Sequence, residues 1–302
     1  MTELECPGLP ASWLNAWLAA VGTTVLVPNL RLSWTESPSP HAVLVCDGDI
    51  NPVDAVVESW PDSDRIGDMP IAEDWRSCEP TVPNIPLPIF RERASKGRGH
   101  KDAWSLSSTY TDMHVDASKP ESMIVARSKL APAAPGSNRT IHFRLARVHG
   151  LVGDLRDRVA ATLAGEARRV NANGLGFDVT RITALGDASD KRVDPVIEVL
   201  AFFGLALFPI RGSGSQRSGA REGVLSFARQ RGWNAADDDV PRMTWPAWSS
   251  PVAKSGIDAL LDAWNPYRLD TWRRMGVHAA WKSVEFIWQG KDQTRGIGSE
   301  AL

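Results

Sequence analysis

The sequence predicts an α+β fold: mixed short strands and helices around one main core, with basic loops rich in Gly and Arg. Three observations carry that expectation. Helical and strand-like segments alternate without the regular strand–helix rhythm of a doubly wound parallel sheet. Several segments have the apolar spacing of amphipathic helices, the longest over residues 151–169. A chain of 302 residues with 43% apolar content is long enough to bury a sizeable core. It reads as one α+β unit over 1–302, divisible into an acidic part (1–90) and a basic-loop and C-terminal part (91–302).

Taken in order, Ser12 caps a first helix whose stripe runs Trp13, Leu14, Trp17, Leu18 and Val21 and ends near Gly22. Residues 23–27 and 30–34 read as short strands split by Pro28 and Asn29, and 41–45 as a third, closed by the Asp47-Gly48 turn. Over 52–60, Val53, Val56, Val57 and Trp60 share one helical face. The acidic, proline-rich stretch 61–88 reads as irregular, and 104–117 as strand-like. Residues 129–138 form a Pro/Ala/Gly loop, and 140–148 suit either a strand or the start of a helix. A helix over 151–169 follows from Leu151, Leu155, Val159 and Leu163, spaced by four. Asp194 as cap and Pro195 in the first turn open a helix that is apolar on nearly every face and stops before Pro209. A Gly/Ser/Arg-rich stretch over 211–232 carries a short element at 224–227. Two further elements span 257–264 and 277–288, and a Gly-bearing loop over 294–299 closes the chain. No repeat of fixed period is present.

Bulk composition narrows the function classes. The three cysteines (Cys6, Cys46, Cys78) are widely spaced and odd in number, so neither a disulfide framework nor a structural zinc is expected, and no cofactor is implied. The start MTELECPGLP lacks the basic and apolar regions of a secretory signal. The longest strongly apolar run, 199–210, falls short of the roughly twenty residues of a membrane span. A cytoplasmic location with no membrane partner is the expectation. Thirteen tryptophans against two tyrosines suit cores, interfaces and base-stacking platforms, with core filling the default for any one of them.

Charge is the most informative feature. The formal net charge is only −2, yet residues 1–90 carry 3 basic and 13 acidic side chains, whereas 91–232 carry 23 basic and 14 acidic. A basic region of this kind attracts a polyanion, and the acidic region must face something else. Within the basic region Arg91, Arg93, Lys96, Arg98 and Lys101 form one run with Gly97 and Gly99, followed by Trp104, which could stack on a base. Arg211, Arg217, Arg221, Arg229 and Arg231 form a second, with Gly212, Gly214, Gly219 and Gly223. Glycine lets the backbone approach a phosphate chain, and Arg offers paired donors that match phosphate. The residues expected to contact nucleic acid are Arg91, Arg93, Lys96, Arg98, Lys101, Arg211, Arg217 and Arg221.

Chemical motifs are sparse. Asp112, His114 and Asp116 alternate along a strand and so share a face, which could hold a divalent ion for hydrolysis, or be a polar edge. No second metal-ligand motif accompanies them, and a polar edge is the favoured reading. The Asn173-Gly174-Leu175-Gly176-Phe177-Asp178 segment lacks the spacing of a nucleotide loop and reads as a tight turn. Two readings of residues 294–299 stand, a loop wrapping a phosphate through its amides or a terminal turn. No catalytic triad, nucleophile elbow or carboxylate pair is present, so no enzymatic activity is expected.

Several blocks, GLPASWLNAWLAAVG (8–22), LRLSW (30–34), WSLSSTYTD (104–112), NGLGFD (173–178), DPVIEVLAFFGLALFP (194–209), IDALLDAW (257–264) and TRGIGSE (294–300), together resemble type I-U (I-G) CRISPR effector-complex subunits of the large-subunit-like kind. The resemblance implies a non-catalytic subunit of an RNA-guided surveillance complex in antiviral defence. Its partners would be CRISPR RNA, target DNA and other CRISPR effector subunits, with a part in target engagement and reading of a short flanking motif. Two alternatives are a guide-RNA-binding or processing subunit of the same system and a metal-dependent nuclease using Asp112, His114 and Asp116. The acidic first ninety residues would point away from nucleic acid.

Overall fold

The computed structural model describes residues 1–67, 84–86, 110–114, 123–127, 141–179, 191–208, 231–235, 241–287 and 295–302. Among them the chain has the expected α+β class, with antiparallel strands in several small sheets. The first sheet has the order β1-β3-β2-β11, from strands Thr2–Pro10 (β1), Arg31–Trp34 (β2), His41–Cys46 (β3) and Val252–Ala253 (β11). A strand from late in the chain thus completes a sheet begun by its first residues, with Val252 opposite Leu32. The second sheet has the order β13-β12-β10-β9, from Trp233–Ala235 (β9), Pro241–Trp248 (β10), Val277–Ile287 (β12) and Arg295–Ala301 (β13). A three-stranded sheet joins Asn84–Pro86 (β4), Met123–Arg127 (β6) and Tyr110–His114 (β5), and a ribbon pairs Val170–Asn171 (β7) with Arg192–Val193 (β8).

The core is organised around two apolar helices, α1 (Leu14–Leu26) and α6 (Pro195–Gly204). Every residue of α6 is buried, which explains a sequence apolar on nearly all faces. A Cβ on Gly22 would lie 1.9 Å from the Leu200 carbonyl oxygen, and one on Gly204 would lie 2.1 Å from that of Leu18. The two backbones therefore touch directly, and only glycine fits at either crossing point. This contact also corrects two expectations. Helix α1 does not stop at Gly22, and residues 23–26 are helical rather than extended. The Thr23 and Thr24 hydroxyls donate to the Ala20 and Val21 carbonyls at 2.6 and 2.7 Å, so these β-branched residues are accommodated inside the helix. Burial against α6 outweighs their weak helix propensity. The residue before the helix is Trp13, and no side chain caps it, in place of the expected Ser12 cap.

Strand β1 was not expected. Pro7 and Gly8 interrupt its alternation, but it is an edge strand, where a missing N–H is tolerated, and its register with β3 shifts between Cys6 and Pro10. Strands β2 and β3 match the reading of 30–34 and 41–45, with Gly48 at φ +68° in the turn that follows. Helix α2 (Pro52–Glu58) begins where Asn51 accepts the Val53 amide at 2.8 Å. A short α3 (Ser63–Gly67) follows. Residues 141–149 resolve to a helix, α4 (Ile141–His149). The helix expected over 151–169 is shorter, α5 (Leu155–Ala164): Gly153 at φ +75° and the Asp154 cap set its start, and Gly165 at φ +80° ends it. Residues 254–263 form α7 (Lys254–Ala263), and Leu269–Arg274 form α8.

Tryptophan binds the halves together. The indole N–H of Trp17 donates to the Pro246 carbonyl, that of Trp245 to Ala11 and that of Trp248 to Leu32, each at 2.8 Å and all buried. Trp17, Trp34 and Trp248 meet edge to face, with ring centroids 6.1–6.4 Å apart. The indoles of Trp17, Trp245 and Trp248 fill core volume while their donors satisfy carbonyls of distant segments.

Candidate functional site

A cleft of about 390 Å³ lies where the end of β1, the end of α5 and the start of α6 meet. Pro7, Gly8 and Trp13 line one side; Thr162, Gly165 and Ala167 line the second; Arg169, Asp194 and Ile197 close it. Gly8 and Gly165, both lining residues, pack backbone against backbone. A Cβ on Gly8 would come within 1.8 Å of the Thr162 carbonyl oxygen, so no side chain can replace it there.

The polar walls are held rigidly. Arg169 pairs with the buried Asp178 carboxylate at 2.6 Å, and its guanidinium lies 5.6 Å from the centroid of the half-buried Trp13 ring. That is cation–π geometry. Asp194 caps α6 by accepting the Val196 amide at 3.0 Å and takes the Thr162 hydroxyl at 2.8 Å on its other oxygen. Burial pushes its carboxyl above the usual carboxylate range, while these two hydrogen bonds and the Arg158 and Arg169 charges pull the other way. With both oxygens engaged in structure, Asp194 serves the site as an anchor rather than as a proton carrier.

Exposed arginines flank the cleft, with exposed Glu166 between its lining residues Gly165 and Ala167. The β7–β8 ribbon sets Arg192 beside the 168–169 segment, where the Arg169 guanidinium donates to the Arg192 carbonyl at 3.5 Å and Arg158 donates to the Arg168 carbonyl. The Arg168 and Arg192 residues are exposed. In contrast, Glu3, Glu5, Asp47 and Asp49 are exposed on and beside the first sheet.

Behind the cleft lies the NGLGFD turn, as expected a tight turn, with Gly174 at φ +55° and Gly176 at φ +97°. Its purpose is internal. It wraps the fully buried Glu198 of α6, which accepts the Leu175 amide and the Asn15 side-chain amide. A Cβ on Gly174 would lie 2.6 Å from the Glu198 carboxylate.

The residues singled out from sequence fare differently. Arg91, Arg93, Lys96, Arg98, Lys101, Arg211, Arg217 and Arg221 lie outside the described residues, as do Trp104, Arg229 and the element at 224–227. Arg231, grouped with the second basic run, is buried: it pairs with Asp258 and Asp262 of α7 and donates to the Leu207 carbonyl at 2.7 Å. It is a structural clip and not a phosphate contact. Asp112 and His114 stand two residues apart on β5, and Asp116 lies outside the described residues. Among the described residues no three His, Cys, Asp or Glu side chains converge as a metal site. Residues 295–301, read as a Gly-bearing loop, form β13, paired along β12 from Arg295–Ile287 to Ala301–Trp281. Extended backbone sends successive amides to opposite sides, so it cannot form a concave phosphate cradle.

The Trp13–Arg169–Asp194 cleft was missed in the sequence. Trp13 and Arg169 lie 156 positions apart in the chain, and no local motif marks them. No helix among the described residues is long and apolar enough to cross a membrane. Comparison with protein-family models, curated proteins and solved structures yields no match.

Proposed function

We propose that this chain is a non-catalytic nucleic-acid-binding protein, acting as a subunit of a type I CRISPR surveillance complex that engages target DNA. The observation that carries the binding role is the basic corner at the cleft, where Arg168 and Arg192 are exposed beside an Arg169–Trp13 stack. Guanidinium groups draw a phosphate chain, and an aromatic wall offers any base a π-face. The sequence blocks similar to type I-U effector subunits support the assignment to a complex with CRISPR RNA, target DNA and other effector subunits as partners. In such a complex pairing with the guide supplies sequence specificity, and protein groups hold the backbone. The basic runs at 91–101 and 211–221 add to the positive charge of the chain that would draw a polyanion.

Charge reversal at Arg168 and Arg192 together tests this surface. Fluorescence anisotropy with a labelled single strand is expected to show about tenfold weaker binding at low salt, with a shallower dependence on salt. Binding unchanged in both respects would remove the corner from the interface.

A further inference from the structure

The cleft has more definition than a general phosphate-binding surface requires. Its volume of about 390 Å³ suits a nucleotide-sized ligand, well below what a duplex or a folded partner would need. Trp13 and Arg169 offer it a flat wall, held in place because Arg169 is tied to buried Asp178. Gly8 and Gly165 pack main chain against main chain, which fixes β1 against the end of α5 and so fixes the spacing of the cleft's two sides. The single acidic wall residue, Asp194, is only 5% exposed, and the Arg158 guanidinium 4.0 Å away offsets its charge against an incoming phosphate. Exposed Arg168 lies in the chain between wall residues Ala167 and Arg169.

We propose that the cleft lined by Trp13, Ala167, Arg169 and Asp194 holds one unpaired nucleotide, its base against the Trp13–Arg169 wall and its phosphate toward Arg168. The source of that nucleotide, a bound strand, rests on the nucleic-acid reading above; the pocket chemistry itself would equally take a free mononucleotide.

Calorimetry with the four nucleoside monophosphates and with a short single strand separates these sources. At least about tenfold tighter binding of the strand assigns the cleft to a strand, and equal binding assigns it to a free nucleotide. Ala167→Trp fills the cleft without removing a wall and is expected to weaken either ligand at least about tenfold, with melting checked alongside. Trp13→Leu, which removes the wall, should do the same if Ala167→Trp fails to fold. A 2-aminopurine nucleotide needs no variant: stacking on the indole should quench its emission on binding. The proposal is overturned if neither probe binds wild type, if folded variants bind as wild type does, or if emission is unchanged on binding. A long strand, titrated in parallel, keeps the two readings apart. Salt-dependent binding of the long strand with no effect of the cleft variants sinks the nucleotide site alone, whereas no binding of the long strand sinks the wider reading.

Discussion

Asp194 shows how one residue joins packing to pH. Burial raises its carboxyl above the usual range of about 4, so at this site the folded chain binds a proton more readily than the unfolded chain. The sign follows: the associated stabilisation is full below the ordinary value and is lost as pH rises through the raised folded value. Asp194→Asn keeps an acceptor for the Val196 amide but cannot ionise. Melting temperature followed between about pH 4 and 7 should therefore fall less for the variant than for wild type. A wild-type-minus-variant difference that stays constant over that range would contradict the assignment. Cys6 illustrates the same physics without a function. Full burial pushes its thiol up to about 12, which keeps it unreactive in the core.

Helix α1 shows where local reading stops. The helix is buried on every face over residues 14–24 rather than along one stripe, but its presence was legible from the apolar residues between Trp13 and Val21. Its end was not, since Gly22 followed by Thr-Thr-Val reads locally as a break and a strand. The deciding interaction is with Leu200 and Gly204, some 180 residues away by sequence count (200 − 22 and 204 − 18), and no window along the chain contains both. Gly22→Ala should accordingly cost about 3 kcal/mol or more, because two helix backbones must separate to admit the methyl. Gly150→Ala, whose Cβ would meet nothing nearer than 3.6 Å, should cost less than about 0.5 kcal/mol. Equal losses in denaturant titrations of the two variants would refute the close-contact account. The start of helix α6 was legible to the residue, since Asp194 and Pro195 are local signals that act there as expected. The α-helix itself ends at Gly204 and tightens to a 3-10 turn over Leu205–Leu207 before the expected stop at Pro209. The cleft had no such signal, since Trp13, Thr162, Arg169 and Asp194 converge only through the docking of α5 and α6 on β1.

At the scale of the molecule, the first and last parts of the chain form one core. Three indole N–H groups reach across it to backbone carbonyls, and β11 closes the sheet that β1 opens. The sequence displayed the tryptophans but not their partners, because a donor's acceptor is a property of the folded arrangement. Trp245→Phe keeps most of the volume and removes the donor to Ala11, so it should cost about 1–3 kcal/mol by denaturant unfolding. A loss within error of zero would mean that the indole hydrogen bonds add nothing beyond packing.

The charge segregation, by contrast, is a whole-molecule property that composition alone exposes, and it underlies the proposed role. Its most direct test is a binding titration of a labelled strand across a range of salt concentrations, with wild type and with Arg91→Glu, Arg93→Glu and Arg98→Glu combined. The account predicts that wild-type affinity falls steeply and linearly with the logarithm of salt, and that the triple variant binds more weakly with a slope shallower by about three. Equal slopes for the two proteins, or no binding by wild type at low salt, would contradict it.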